Sequence, residues 1–265
     1  MKDRRETILA ALRPFVKSPI APATDSLLII GAGSDDVEIA RLLGFQNISC
    51  TNLDASWGHP LLDAENLALP DNSYDVVFAH AVLHHCMSPH KAVLEAVRVA
   101  RKGFIFVDPN DSLLMRAAMR FGASMNYELT AVMDNGYASG GMRNTAVPNY
   151  NYRWNVHELE KTVYSGFPHL QINIKVWRFF DFYMNPHELD IRTEPVLRWL
   201  RSVFGSMTLI RGLRSAQKVI NRVPGIRAQG NHFLALISKG PYMPWIDASN
   251  GHLGLRSRGN GSGPR

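Results

Sequence analysis

Two glycines and a few acids are the first residues whose types and spacing could do chemistry. Gly31 and Gly33 follow the apolar run "SLLII" (26–30), and Asp35 and Asp36 follow the glycines. Glycine permits a tight turn and close approach of backbone to a ligand. Asp54 ends the next apolar segment, where an acid can accept hydrogen bonds from both hydroxyls of a ribose. Together they outline a nucleotide-binding turn, with a turn or helix-cap acid as the plainer reading of Asp54. His80, His84, His85 and His90 form a second group, with the means for proton transfer or metal binding. A spacing of four puts two histidines on one helix face.

The acids select among nucleotides. A dinucleotide lays an anionic pyrophosphate on the helix N-terminus that follows such a turn. The third glycine of a GxGxxG turn would be residue 36, which is Asp36. Like charges about 4 Å apart repel by about 4 kcal/mol at an effective dielectric of about 20. The same acids complement a helix dipole. The turn therefore suits an adenosine compound without phosphates, above all a cationic one. S-adenosylmethionine has a ribose, a sulfonium and an ammonium, and no phosphate.

These residues need elements to hold them. "SLLII" is a buried parallel strand in pattern, and 34–43 is a helix with Ser34 as N-cap. "NISCTNLD" (47–54), Tyr74–Ala79 and "GFIFVDPN" (103–110) are further strands, with a helix at 88–100. The alternation implies crossover connections and a parallel sheet. Ligands bind at the carboxyl ends of such strands, where segments 31–36, 54–63, 79–85 and 108–111 fall. An amphipathic helix over 5–17 precedes them, ended by Pro19 and Pro22. Later come a helix at 155–167, a strand at 170–177, one or two helices over 195–223 and a last strand at 231–238.

Residues 111–153 break the rhythm. "DNGYASGGMRN" (134–144) reads as a mobile loop. Tyr127, Tyr137, Tyr150, Tyr152 and Trp154 cluster in and around this stretch, with His157 just beyond. They are expected to form a substrate lid that shapes the acceptor pocket, or to pack a small core.

The bulk properties set limits. The 265 residues, 46% hydrophobic and 20% charged, suit one globular domain. The net charge is +6, and 188–228 alone carries eight basic residues against three acids. Positive charge is a local patch rather than a coat, so no nucleic-acid partner is expected. The N-terminal stretch has no secretory-signal pattern and no apolar run reaches membrane-span length, so a cytoplasmic location is expected. Cys50 and Cys86 are expected to be reduced thiols.

The order Gly31-Ala-Gly33, Asp54 and then "DAENLALPDNSYDVVFAHAVLHHCMSPHKAVLEAVRVARKGFIFVDP" resembles the class I S-adenosylmethionine-dependent methyltransferases. Within them it is most similar to the small-molecule branch of ubiquinone- and sterol-type enzymes. The resemblance covers residues 25–110, and "NYRWNVHELEKTVYSGFPHLQINI" and "GNHFLALISKG" are similar to that branch's later helix and final strands. It implies a Rossmann-like α/β fold, with a seven-stranded, mostly parallel sheet and an antiparallel last strand. It implies one domain over 1–240, with a lid at 111–153 and a helical insertion at 180–228, then a flexible tail at 241–265.

The resemblance also implies roles. Gly31 and Gly33 would contact the methionine part, and Asp54 the ribose hydroxyls. Leu53 and Ala55 would flank ribose and adenine, with Asp63 and Ala64 at the adenine edge. His80 would lie beside the methionine part and the transferred methyl. Two positions depart from the family pattern. Ile29 stands where an acid is usual, and Asp35 replaces the third loop glycine. Asp35 is expected to offer the missing carboxylate to the ammonium group. His84 and His85 are candidates for proton transfer, against a packing role. No metal is expected, because the resemblance accounts for the histidines and no carboxylate lies at ligand spacing among them.

The acceptor is expected to be a small molecule, a glycan or a lipid-linked compound. The alternative is a non-catalytic adenosyl-binding protein acting through a partner or membrane. The 195–223 helices read either as an interfacial element approaching anionic lipid, or as an amphipathic pair that caps the sheet or forms a homodimer.

Overall fold

The computed structural model describes residues 2–17, 19–124, 126–182, 189, 195–248 and 253–255. The chain enters through α1 (Lys2–Leu12). This helix ends well before residue 17. Pro14 has no N–H and disfavours helical backbone at Arg13, so the turn breaks there. Then follow β1 (Ser26–Ile30), α2 (Ser34–Leu42), β2 (Asn47–Thr51), β3 (Tyr74–His80), α3 (Pro89–Val99) and β4 (Ala100–Pro109). β1 pairs in parallel with both β2 and β3, and β3 pairs in parallel with β4.

After β4 come α4 (Leu113–Arg120), β5 (Tyr127–Glu128), α5 (Thr130–Asp134) and β6 (Asn149–Tyr150). The two-residue strands β5 and β6 pair with each other, apart from the main sheet. The chain continues through α6 (Val156–Gly166), β7 (Leu170–Phe179), α7 (Pro195–Phe204), α8 (Ser206–Ile220), α9 (Pro224–Arg227) and β8 (His232–Tyr242). β8 runs antiparallel between β4 and β7, giving the order β2-β1-β3-β4-β8-β7.

The main sheet has six strands among the described residues, against the expected seven. Beyond β2 a single parallel bridge, Asn52 to Leu61, stands at the edge. Asn52 N–H donates to the Pro60 carbonyl, but proline has no N–H to extend a ladder. A turn closes directly afterwards, with Asp63 bridged to Asn66.

Both faces of the sheet are covered, which is why its strands read as continuous apolar runs. Successive side chains alternate faces. Leu28, Ile30, Val77, Phe104 and Phe106 pack with Val93, Val97, Leu159 and Val163 of α3 and α6. Leu27, Ile29, Val76 and Phe78 pack with Ile8, Leu12 and Ile39 of α1 and α2. Two polar brackets fix the loops that carry the site. Arg98 of α3 donates to the carbonyls of Leu67 and Leu69 and pairs with Glu95 and Asp71, while Glu95 accepts from Leu67 N–H. Asp75 accepts from the backbone and hydroxyl of Ser26, tying the starts of β3 and β1 together.

Cys50 and Cys86 are not joined to each other. No helix among the described residues is long and apolar enough to cross a membrane. Arg192, Glu188, Asp190 and Glu194 of the expected insertion, and Arg256, Arg258 and Arg265 of the expected tail, lie outside the described residues.

Candidate functional site

The turn after β1 requires its first glycine. Gly31 has a φ of +63°, and a Cβ there would come within 2.6 Å of Val82 Cγ2. Gly33 caps α2, and its N–H donates to Asp36 Oδ2 over 2.9 Å. The other Asp36 oxygen meets His80 Nδ1 at 2.8 Å, and both side chains are buried. Asp35 points the other way, with Oδ1 3.8 Å from Arg5 Nε of α1. Asp35, expected to offer a carboxylate to a ligand ammonium, faces Arg5, and Asp36 is the acid beside Gly33 and His80. Helix phase turns Asp36 inward and Asp35 toward α1. His80 keeps one buried ring nitrogen, Nε2, without a partner among the described residues. A buried polar atom of this kind fits a ligand's polar group beside the turn.

At the end of β2, Asn52 sets the loop. Its Nδ2 donates to the Ala32 carbonyl, and its Oδ1 accepts from Asp54 N–H. Asp54 in turn accepts from Ser56 N–H at 2.9 Å. The Ser56 hydroxyl and backbone hold the Asp54 carboxyl below the usual range, with smaller help from Asn144 and Ser139. Asp63 accepts from Glu65 N–H and pairs with Arg143, which also lies 3.8 Å from Glu65. The segment 139–144 thus reaches both acids at once.

A cavity of about 220 Å³ lies between them. Of the residues singled out in the sequence, Gly31, Leu53, Asp54, Asp63, Ala64 and His85 line it. Its roof is Ala131, Asn135, Gly140, Gly141, Arg143 and Asn144. Gly33, Asp35, Ala55, His80 and His84 are not in its wall. Ala55 sits in the short 3₁₀ turn Ala55–Trp57 that Asp54 caps. A wider hollow of about 400 Å³ between α1, β7 and α8 includes none of the glycine-turn or acidic residues. There Arg227 stacks over Trp177, 3.4 Å from the ring centre.

His84 and His85 have opposite environments. His84 lies between two carboxylates, with Nδ1 2.6 Å from Asp108 Oδ1 and Nε2 2.8 Å from Glu128 Oε2. Burial opposes its charge, but Asp108 and Glu128 outweigh burial and push the ring up to about 10. Burial in turn pushes Asp108 up against the pull of His84, and Trp154 Nε1 donates to its other oxygen. With both nitrogens engaged, His84 has no lone pair free for an acceptor. Burial and the neighbouring His84 charge push His85 down to about 4, so it is neutral.

The expected lid aromatics are placed elsewhere. Trp154 is fully buried in the core against Phe106. Tyr152 donates to Glu158 and sits against His90. Tyr127 and Tyr150 pair edge to face across β5 and β6, with ring centres 5.2 Å apart and both side chains exposed. Tyr137 and His157 are exposed. Glycine-rich backbone can approach a cavity more closely than large rings can, and Gly140, Gly141, Arg143 and Asn144 line it. The sequence reading missed Asp108, Glu128, Asn149 and Arg143. Asp108 stands at a strand end and was open to the same reasoning as Asp54. The others arrive from distant segments and carry no local signal.

Residues 48–107 match the family model described as "Methyltransferase domain". No curated protein matches the chain. Several solved structures are similar. One is an S-adenosylmethionine-dependent methyltransferase of Thermotoga maritima, described as a possible histamine N-methyltransferase. It is 16% identical with a TM-score of 0.46, and 89% of each chain is covered. A methyltransferase-like protein of Bacillus halodurans is 14% identical with a TM-score of 0.48, covering 89% of this chain and 99% of the other. A Haloferax volcanii structure of an activator, Trm112, with a methyltransferase-like protein is 15% identical with a TM-score of 0.49, covering 92% of each chain. The domain match spans β2 to β4, three strands of the mostly parallel sheet, and includes Asn52, Asp54, Asp63 and His80.

Proposed function

We propose that the chain transfers a methyl group to a small-molecule, glycan or lipid-linked acceptor of the natural-product or cell-envelope type. The observation that carries this reading is the pair of acids, Asp54 and Asp63, in the wall of one cavity floored by Gly31. S-adenosylmethionine supplies a methyl already activated on sulfonium. The chain's own residues then have to bind, align and exclude water. Asp54 accepts from the ribose hydroxyls, Asp63 from the adenine amino group, and Leu53 and Ala64 flank the rings. Gly31 and Gly33 let the backbone approach the methionine part. His85, neutral and in the cavity wall, meets the acceptor end. Residues 140–144 close over the bound pair.

A lipid-linked acceptor is favoured by α7 and α4. Both are amphipathic and neither has a buried residue. Trp199, Phe204, Leu113 and Phe121 are all more than half exposed. The two helices adjoin, since a Cβ on Gly122 would lie 2.9 Å from Pro195. Arg116 and Arg120 lie on α4, and Arg198 and Arg201 on α7. Apolar faces bordered by arginine suit the interface of an anionic bilayer.

A second reading, a non-catalytic adenosyl-binding protein, rests on one observation. The 139–144 segment engages Asp54 and Asp63 itself, so the cofactor acids have internal partners. Titration of S-adenosylmethionine into the protein and into Asp54→Ala tests the pocket common to both readings. Loss of hydrogen bonds to a charged acceptor weakens binding by about 10- to 100-fold. Equal affinity in the two proteins rejects the ribose assignment.

A further inference from the structure

The turn between β3 and α3 gathers more ligand atoms than methyl transfer accounts for. His84, His85 and Glu128 each bring one donor atom into a group whose members all lie within 4.8 Å of one another. Glu128 Oε2 is 2.8 Å from His84 Nε2 and 3.6 Å from His85 Nε2. Metal–ligand bonds of about 2.0–2.2 Å at tetrahedral angles place donor atoms about 3.3 Å apart. The two observed separations bracket that value, and they join residues from two distant parts of the chain.

The outer partners have the same logic. Ligating histidines hold their second ring nitrogen to a carboxylate or carbonyl, which fixes the tautomer and the ring plane. His84 Nδ1 has the buried Asp108 carboxylate. His85 Nδ1 abuts the side-chain amide of Asn149, a fully buried residue whose Oδ1 otherwise lacks a partner. With Oδ1 turned to the ring, Asn149 accepts the Nδ1 proton and leaves His85 Nε2 with its lone pair. The charge count agrees. Without metal, a protonated His84 lies between Asp108 and Glu128; a divalent cation would displace the Nε2 proton to solvent, leave Nδ1–H on Asp108 and balance the two carboxylates.

We propose that His84, His85 and Glu128 form a divalent transition-metal site, with Asp108 and Asn149 as its outer supports. The mixed nitrogen and oxygen donors suit zinc, cobalt or manganese better than calcium or magnesium. The site is open on one side. His84 is enclosed, but His85 and Glu128 keep 26% and 30% of their side chains exposed. His85 also lines the cofactor cavity. A cation there has room for an outside ligand. On the methyl-transfer reading, that ligand is an acceptor oxygen, which the metal holds and keeps deprotonated.

The test is metal binding, which is read without any methyl transfer. Untagged full-length protein is stripped with chelator, then titrated with Zn²⁺ by calorimetry and with Co²⁺ by visible absorption. One equivalent is expected to bind, with the intense bands of a four- or five-coordinate cobalt centre. His85→Ala leaves the Asp108–His84–Glu128 contacts in place, so its fold is retained, and it is expected to bind at least about 10-fold more weakly. Glu128→Gln is expected to do the same. Circular dichroism of each variant checks the fold. No binding by the parent protein at millimolar Zn²⁺, or binding unchanged in both variants, overturns the proposal. S-adenosylmethionine titrated into the stripped protein separates this outcome from a failure of the cofactor pocket.

Discussion

Asp36 and Asp35 are neighbours with different tasks. Asp36 lies three and four residues before the buried Ile39 and Ala40, so helix periodicity puts it on the inward face. It caps α2 through Gly33 N–H and meets His80. Asp35, one position earlier, meets Arg5. That two acids follow the glycines at the start of a helix was legible from residue types. Which acid turns inward was also legible, from the spacing to Ile39 and Ala40. Arg143 is a different case, because its contact with Asp63 spans 80 residues of sequence. The cavity it closes, about 220 Å³, is below the ~300–1,000 Å³ of ordinary ligand sites. On the methyl-transfer reading, the Arg143 contact opens to admit the cofactor. Arg143 is 42% exposed, and an exposed pair of this kind contributes about 0.2–1 kcal/mol. Arg143→Ala is expected to raise the association rate of S-adenosylmethionine by about 2- to 5-fold in stopped-flow fluorescence. An unchanged rate would mean that the roof does not gate entry.

At the scale of elements, local pattern carried the parallel half of the sheet well. The apolar run 26–30, the strand stopped by Pro109 and the helices flanking them stand within a few residues of where the sequence put them. The misses have local causes. Pro14 ends α1 early, and Pro60 leaves an edge strand as one bridge. The later helices were legible as amphipathic, but what their apolar faces meet was not. The structure leaves those of α7 and α4 exposed. Flotation with vesicles of phosphatidylglycerol and phosphatidylcholine tests the membrane reading. Binding is expected at low salt, lost on phosphatidylcholine alone and weakened by salt. Trp199→Ser combined with Phe204→Ser should cut binding at least about 10-fold, since each buried side chain contributes about 1.5–3 kcal/mol. A protein that stays at the bottom of the gradient with anionic vesicles contradicts the interfacial role.

At the scale of the whole molecule, the site is assembled from parts that the sequence keeps far apart. Gly31, Asp54 and Asp63 share one stretch of alternating strands and helices, and their convergence follows from a rule about strand ends. Glu128, Asn149 and Arg143 reach the same place through chain reversals between β4 and α6, which no local spacing encodes. The sheet has six strands among the described residues rather than seven, and Trp154 packs in the core, for a related reason. Both depended on how polar and glycine-rich segments settle once the sheet exists. The central claim is that this assembly holds a phosphate-free, cationic adenosyl compound. Calorimetric titration of the intact protein with S-adenosylmethionine, and in parallel with nicotinamide adenine dinucleotide, tests it most directly. The acids of α2 should make the dinucleotide weaker by about 100-fold or more, with S-adenosylmethionine binding one to one. Equal or tighter dinucleotide binding, or no heat from S-adenosylmethionine at millimolar concentration, contradicts it.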